Sequence, residues 1–578
     1  MADGAPAFAI IDSRGRIARR VECLNNHYFV PDELAARFIG SAEVLASVVA
    51  KDGRIDLDDL GPAIFNCIVV PSPGLVAAEP PEWYGEHEVY YKIFVRSFAD
   101  SNGDRIGDLR GIERHLSYLR LLGVTTLLLT PIVPSPFYHN YFATRFDAVD
   151  PAYGDMRDFR RLARAVHRRH MRIILDEEIQ YVAEDHAWWR QSQGNPGSRY
   201  DRYILYDGAN NTEPDAGFLG SATVTTYDDR PVRLATVDLG DLEVRAYFAD
   251  TFVWWLRQGA DGFRIDHMMD DLDNRGKLTG LLADFWAPLF ARVRAAAPRM
   301  TVVAEQSDWQ FGDDLERRAN VDLVYAFPLR GAIASLDRSA VAQAILATEA
   351  HTAPGKGQLV FIENHDTDRF ASIVGGDPAR LRIGAALCVL LKGTPLIYYG
   401  QEIGMRGRRM AAGLSDANDI PDREAFRWTR RVADSGAAIW YRGEAPWWTG
   451  RYARDNDGIS VEEQQHAPGS LLSFYRRLLA LRRTHEELRA GDQQIIPTLQ
   501  SQVLAVERKR GGRASVLLVN FSAADTTIDL PSSALGDSRG SKYATELLSG
   551  TQFRIDAHRT VRMTLAPYGV ELLTLTGT

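Results

Sequence analysis

The amino-acid sequence predicts an α/β protein built around a closed (β/α)8 barrel. Three observations support this prediction: eight strand-like runs, the helical segments between them, and the length of the region that they occupy. Strands that alternate with helices form a parallel sheet, and eight such units close a barrel. The runs are EVYYKIFVRSF (88–98), VTTLLLTPI (124–132), MRIILDEEI (171–179), DGFRID (261–266), TVVAEQ (301–306), DLVYAF (322–327), QLVFIENHD (358–366) and TPLIYYG (394–400).

Segments with helical periodicity, such as LRGIERHLSYLRLLG and LEVRAYFADTFVWWLRQG, separate these strands. When the irregular insertion at 177–242 is left out, the length of the region 88–400 matches that of a typical barrel, roughly 250 residues. A doubly wound open sheet is the alternative, but no G-x-G-x-x-G motif follows the first strand. We therefore predict a barrel domain at 83–176 and 243–494, with the insertion after strand 3 as a separate domain.

The two ends of the chain differ from the barrel. Beyond residue 494 the helical pattern stops, and short strand-like runs separated by turn residues predict a C-terminal antiparallel β-sandwich at 495–578. Residues 1–82 mix strand-like and helix-like patterns and end in a Pro-rich stretch. They are expected to form an N-terminal accessory domain, whose fold the sequence does not identify.

Composition limits the function classes. The 578 residues include 25% charged and 45% hydrophobic residues, as in ordinary globular proteins, and the net charge of −9 argues against nucleic acid or an anionic membrane as a partner. The three cysteines Cys23, Cys67 and Cys388 are far apart, which excludes a disulfide framework. With no signal-peptide pattern and no long apolar run, a cytoplasmic protein is expected, which could form a homo-oligomer.

Charged side chains follow several strands at the end where barrel enzymes carry their chemistry. Arg264 and Asp266 lie two residues apart in strand 4 and so share a face; Glu305 ends strand 5; His365 and Asp366 follow strand 7. A single buried carboxylate usually belongs to an ion pair or a helix cap. Three on one rim instead indicate glycoside cleavage, which needs one carboxylate to attack and another to protonate the leaving oxygen.

These strand ends resemble the short motifs of glycoside hydrolase family 13, the α-amylase family. GFRIDH is similar to its nucleophile motif, VVAEQ to its acid/base motif and FIENHD to its third-carboxylate motif. LRLLGVTTLLLTPI, YYGQEIGM and the C-terminal sandwich extend the resemblance over residues 88–578. Among its branches, the α-glucosidases, trehalose synthases and maltosyltransferase-like enzymes are the nearest.

The resemblance implies a retaining glycosidase or transglycosylase that acts on short α-linked glucosides and needs no cofactor for chemistry. Asp266 would be the nucleophile, Glu305 the acid/base, and Asp366 the carboxylate that holds sugar hydroxyls. We expect Arg264 to keep Asp266 ionised, a nearby carboxylate to raise the pKa of Glu305, and His365 to donate to sugar hydroxyls. The alternative is a non-catalytic family member that serves as a binding or assembly scaffold.

The sequence departs from the family pattern after strands 2 and 3. The family motif Asp-x-x-x-Asn-His becomes Asp176 followed by Gln180 and Tyr181, which replace a calcium-binding asparagine and a sugar-contacting histidine. Tyr141 is followed by Phe142, where relatives that remove terminal glucose carry an aspartate. Asp176, Tyr141, Phe142 and Tyr181 are therefore predicted to lie at the sugar site, without strict recognition of terminal glucose.

The stretch DSNGDRIGD, residues 100–108, places oxygen ligands at alternate positions. Its candidate ligands for a structural Ca²⁺ or Mg²⁺ ion are Asp100, Asn102, Asp104, the carbonyl of Ile106 and Asp108. Relatives that act on short glucosides carry a similar loop. Arg105 stands where glycine is usual, and its charge could replace the cation, so a solvated, self-capped turn is the alternative.

Overall fold

A computed structural model describes residues 87–575, apart from residues 274, 411–414, 445 and 537–541, together with six short strands before residue 87. Eight parallel strands form a closed barrel, as the sequence predicts. Most residues in these strands are buried, because helices cover the barrel on the outside. Barrel strands 1–8 are Tyr90–Ile93, Thr126–Leu129, Arg172–Glu177, Gly262–Met268, Thr301–Gln306, Leu323–Tyr325, Gly357–Val360 and Thr394–Tyr398.

Most of the predicted runs are longer than the strands in the structure, and the difference at the C-terminal end is largest for strands 1 and 7. After strand 1, Val95–Phe98 forms a single helical turn, and a short apolar run cannot distinguish a buried strand from such a turn. Strand 7 ends at Val360, and residues 361–366 leave the sheet as a loop. That early end matters for the site, because this loop carries His365 and Asp366 to the rim of the barrel.

Six of the eight longest α-helices in the described residues start at side-chain caps, which satisfy amide groups that the first helical turn leaves unpaired. Asp108 accepts a hydrogen bond from the Gly111 amide, and Asp155 forms a capping box with Asp158. The described α-helices of at least eight residues are Leu109–Leu122, Met156–His167, Leu242–Gln258, Ala287–Ala296, Phe327–Ser335, Arg338–His351, Pro378–Leu390 and Leu471–Thr484.

The insertion after strand 3 contains a small antiparallel sheet. Its strand order is Tyr181–Ala183, Pro231–Thr236, Thr223–Thr225. Tyr181 pairs with Thr236 in this sheet, only four residues beyond the end of strand 3. The insertion therefore begins directly at the C-terminal rim of the barrel.

The C-terminal region forms two antiparallel sheets, which confirms the predicted sandwich. Residues from both sheets, such as Val516 and Val561, are fully buried in one shared apolar cluster. The six-stranded sheet contains Asp492–Ile496, Val503–Arg510, Arg513–Asn520, Tyr543–Glu546, Gln552–Arg554 and Val570–Leu575, and the two-stranded sheet contains Thr526–Pro531 and Thr560–Leu565. The first of these strands starts three residues before the predicted domain boundary at 495.

The N-terminal region contributes six strands to one further sheet. The first two, Ala7–Ile11 and Ile17–Leu24, pair as an antiparallel hairpin. The others are His27–Val30, Ala46–Ala50, Gly53–Arg54 and Ile68–Pro71. Among the described residues of the whole chain, no helix combines the length and the apolar character that a bilayer crossing requires.

Candidate active site

Arg264 is the centre of the candidate active site. It lies in strand 4, its side chain is fully buried, and its guanidinium group contacts three carboxylates. Nη1 donates to Asp176 Oδ1 at 2.6 Å and also to Asp266 Oδ1, while Nη2 donates to Glu305 Oε2 at 2.5 Å. One rigid fork therefore sets the relative positions of the carboxyl groups from strands 3, 4 and 5.

The pKa values of Asp266 and Glu305 are shifted in opposite directions. Burial raises the pKa of Glu305 to about 8, and the charges of Asp266 and Asp366 add to this effect while Arg264 opposes it. Burial also acts to raise the pKa of Asp266, but the charges of Arg264 and His267 and a hydrogen bond with Glu305 lower it overall. Such a pair can hold one ionised and one protonated carboxyl group near neutral pH.

The predicted cause of the Glu305 shift is therefore secondary. A neighbouring carboxylate contributes in the expected direction, but burial is the largest effect, since the Glu305 side chain is only 5% exposed. The Asp266 side chain is 20% exposed and so is the more accessible of the two. This difference suits a group that must meet an atom of a bound substrate.

Asp366 lies on the loop after strand 7 and is held from two sides. His365 Nε2 is 3.3 Å from Asp366 Oδ2, and Arg423 Nη2 is 3.0 Å from Asp366 Oδ1. Burial raises the pKa of Asp366, whereas burial and the charge of Lys92 lower the pKa of His365 well below its usual value. A neutral imidazole therefore lies beside the third carboxylate.

Below the rim of the site, Tyr141 and Asp176 connect His365 with Arg264. The Tyr141 hydroxyl group donates to Asp176 Oδ2 at 2.9 Å and lies 2.6 Å from His365 Nε2, and the two rings are stacked. Asp176 is fully buried and contacts Arg264 and the ammonium group of Lys92, 3.3 Å away. Asp176 thus belongs to the supporting network. The sequence predicts Asp176 at the sugar site, whereas the structure places its side chain below the rim, against Lys92 and Arg264.

Phe142 and Tyr181 lie together beside this network. Their rings meet edge to face at 6.3 Å, and the Phe142 ring also contacts Phe137 and His139. Tyr181 is 2% exposed, whereas Phe142 is partly exposed. At the position of the family's aspartate, the structure therefore has an aromatic cluster.

The predicted ion loop lies apart from these carboxylates. Asp100 accepts from the amides of Asn102, Gly103 and Arg105, and Asp108 caps the following helix. The Arg105 side chain is exposed, and its φ of 73° is in the left-handed region where glycine is usual.

The ion-loop oxygens therefore bond the loop's own backbone. In the part of the chain that the structure describes, no three His, Cys, Asp or Glu side chains are grouped as a metal centre. These hydrogen bonds within the loop fit a self-capped turn, which is the alternative to an ion site. Ion binding stays a prediction.

Three contacts of the site were not predicted from the sequence. Lys92 is fully buried under Asp176, and Arg423 binds Asp366 from the end of the 3-10 helix Ser415–Arg423, which follows strand 8. Gln180, noted only as a departure from the family pattern, donates to the backbone of Asp266. The sequence could have indicated a role for Lys92, because a lysine inside the apolar run YYKIF is unusual. Nothing in the sequence around Arg423 indicates its partner.

The fold and the site define a class of protein: a (β/α)8-barrel enzyme with a cluster of carboxylates at the C-terminal ends of its strands. The model of the α-amylase catalytic domain matches residues 92–280 and 305–491, which is more than half of the chain. The chain belongs to the α-amylase family and is an enzyme of that family. Arg264 contacts Asp176, Asp266 and Glu305, and Asp366 is held by His365 and Arg423, so the charged groups whose loss would indicate a non-catalytic scaffold are present.

Individual relatives agree with this assignment. The chain is 27% identical over 479 residues to Alpha-amylase 3 of Dictyoglomus thermophilum, covering 81% of this chain and 91% of that protein. It is 28% identical over 557 residues to a trehalose synthase of Thermus thermophilus, covering 86% of this chain and 56% of that protein. An α-amylase structure from H. orenii has a TM-score of 0.70 at 25% identity, covering 85% of this chain and all of that one.

Proposed function

We propose that this enzyme cleaves α-linked glucosides of short oligosaccharides with retention of configuration, through a covalent glycosyl intermediate on Asp266. One observation carries the proposal: Asp266 and Glu305 share the guanidinium of Arg264 and have opposite pKa shifts. A retaining site needs two nearby carboxyl groups, one ionised to attack and one protonated to donate. Nearby relatives named α-amylase and trehalose synthase support the α-glucosidic substrate.

In the first step, the Asp266 carboxylate attacks the anomeric carbon while Glu305 gives its proton to the glycosidic oxygen. The bond to the leaving sugar breaks, and a glycosyl ester forms on Asp266. Glu305, now ionised, then takes a proton from water or from a sugar hydroxyl as that oxygen attacks the same carbon, and the ester bond breaks to release the Asp266 carboxylate. Asp366, with the neutral His365 beside it, accepts hydrogen bonds from ring hydroxyls and stabilises positive charge on the sugar.

The departures at Phe142 and Tyr181 bear on the choice of substrate. Phe142 cannot accept hydrogen bonds from the 4- and 6-hydroxyls of a terminal glucose, and its partly exposed ring is part of an aromatic cluster. An aromatic face can instead stack on a further or differently linked sugar. We therefore propose that the enzyme prefers an unusual α-glucoside or a donor longer than one glucose, with measurable transfer to sugar acceptors. A cytoplasmic location and homo-oligomer formation stay predictions from the sequence.

Two experiments test the proposal. Proton NMR of the first product should show the α-anomer before mutarotation, whereas a β-anomer would contradict retention. Initial rates on maltose, maltotriose, sucrose, trehalose and isomaltose, with products followed at high acceptor concentration, should reveal transfer products. Fast release of glucose from maltose, with no transfer at any acceptor level, would contradict the proposed preference.

A further inference from the structure

We propose that Gln180 is a positioning residue whose side-chain amide fixes the backbone that carries Asp266. This inference rests on the proposed function, because it takes Asp266 as the nucleophile. It concerns a feature of this chain that differs from the family pattern, namely glutamine where asparagine is usual.

Strand 4 contains a β-bulge at the nucleophile. It pairs with strand 5 residue by residue as far as Ile265 with Ala304, but the next pair is Met268 with Gln306. One extra residue is thus accommodated at positions 266 and 267, and His267 has a φ of 49°, in the left-handed region. A bulge redirects a side chain and interrupts the ladder, so the backbone groups at this point need other partners.

Gln180 supplies those partners from the other edge of strand 4. Strand 3 stops pairing with strand 4 at Glu177 and Ile265. Just beyond that point, Gln180 Nε2 lies 3.1 Å from the carbonyl oxygen of Asp266 and 3.2 Å from that of His267. The side-chain amide therefore continues the ladder past the end of strand 3, and Gln180 is completely buried.

Glu178 fixes the orientation of this amide. Its carboxyl group accepts from the backbone amide of Gln180 at 2.5 Å and from Gln180 Nε2 at 3.1 Å. Nε2 is thus surrounded by two carbonyl oxygens and one carboxyl group, and a flipped amide would place an oxygen against all three. Burial and the charge of Asp266 raise the pKa of Glu178 well above its usual value.

The expected effect is on the chemical step. Gln180→Met keeps the length and burial of the side chain but removes both hydrogens that Nε2 donates. The 266–267 backbone is then free to shift, and a misplacement of about 1 Å can cost roughly a hundredfold in rate. Ring hydroxyls meet other residues, such as Asp366, so we expect kcat to fall about 10- to 100-fold while KM changes less than about threefold.

The experiment measures attack by Asp266 directly, as the rate at which a fluorinated α-glucosyl fluoride forms the glycosyl-enzyme in a single turnover. Gln180→Asn, a shorter donor, should give a rate between those of the wild type and Gln180→Met. The matched control is Gln464→Met, because Gln464 Nε2 likewise donates to two backbone carbonyls, those of Ile403 at 2.8 Å and Gly458 at 2.9 Å, away from the active-site carboxylates. This control should lower the unfolding midpoint but leave the rate of adduct formation unchanged.

Each outcome separates this inference from the proposed function. A wild-type enzyme that forms no adduct on Asp266 would overturn the proposed function itself. A wild-type enzyme that forms the adduct, with Gln180→Met equally fast, would overturn only the role of Gln180. Equal losses of rate in Gln180→Met and Gln464→Met would show general destabilisation and also overturn it. A slow Gln180→Met beside an unaffected Gln464→Met would support it.

Discussion

The pKa of Glu305 predicts where activity falls at high pH. Only the protonated form of Glu305 can give a proton to the leaving oxygen, and burial raises its pKa to about 8. kcat/KM should therefore be constant across neutral pH and fall above pH 8, by about tenfold for each further pH unit. Lys92 lowers the pKa of Glu305, so Lys92→Met should move this limb of the profile to higher pH.

The assay is kcat/KM for an oligosaccharide between pH 5 and pH 10, beside an aryl α-glucoside whose leaving group needs little protonation. The limb should be pronounced for the oligosaccharide, weaker for the aryl glucoside and lost in Glu305→Gln. Enzyme that is incubated at each pH and then assayed at pH 7 controls for irreversible unfolding. The reasoning would be refuted if kcat/KM began to fall near the ordinary pKa of a glutamate. It would also be refuted if the fall moved to lower pH in Lys92→Met.

Three further predictions concern other parts of the molecule. Asp266→Asn should lower kcat by about a thousandfold or more with an unchanged unfolding midpoint, and a variant that keeps a tenth of wild-type activity would exclude Asp266 as the nucleophile. A cation bound in the 100–108 loop should raise the midpoint by several degrees when Ca²⁺ replaces EDTA, and Asp104→Ala should abolish that gain; equal midpoints would leave the loop as a self-capped turn. Phe142→Asp should increase glucose release from maltose relative to transfer, and an unchanged product ratio would remove Phe142 from the account of specificity.

Much of the site follows from local rules. The two-residue period of a strand places Arg264 and Asp266 on one face, and the C-terminal ends of barrel strands add Glu305 and Asp366. The placement of these side chains follows from the sequence around each strand and does not depend on packing. The same period predicts nothing about the bulge at 266–267, because a break in register is a property of the strand pair.

The contacts that the sequence did not predict all depend on tertiary structure. Arg423 reaches Asp366 from a 3-10 helix, 57 residues further along the chain. Gln180 donates across 86 residues to Asp266, at a point where one strand has already ended. The largest effect on the pKa of Glu305 is burial, and only the closed barrel shows how deeply that side chain lies.

The proposed mechanism depends most on the covalent step at Asp266. Its most direct test is mass spectrometry of the enzyme after reaction with a fluorinated α-glucosyl fluoride, followed by proteolysis and peptide mapping. We predict one fluoroglucosyl group per enzyme, on the peptide that contains Asp266 and on its side chain. An active enzyme that forms no adduct, or an adduct on Glu305 or Asp366 instead, would contradict the account.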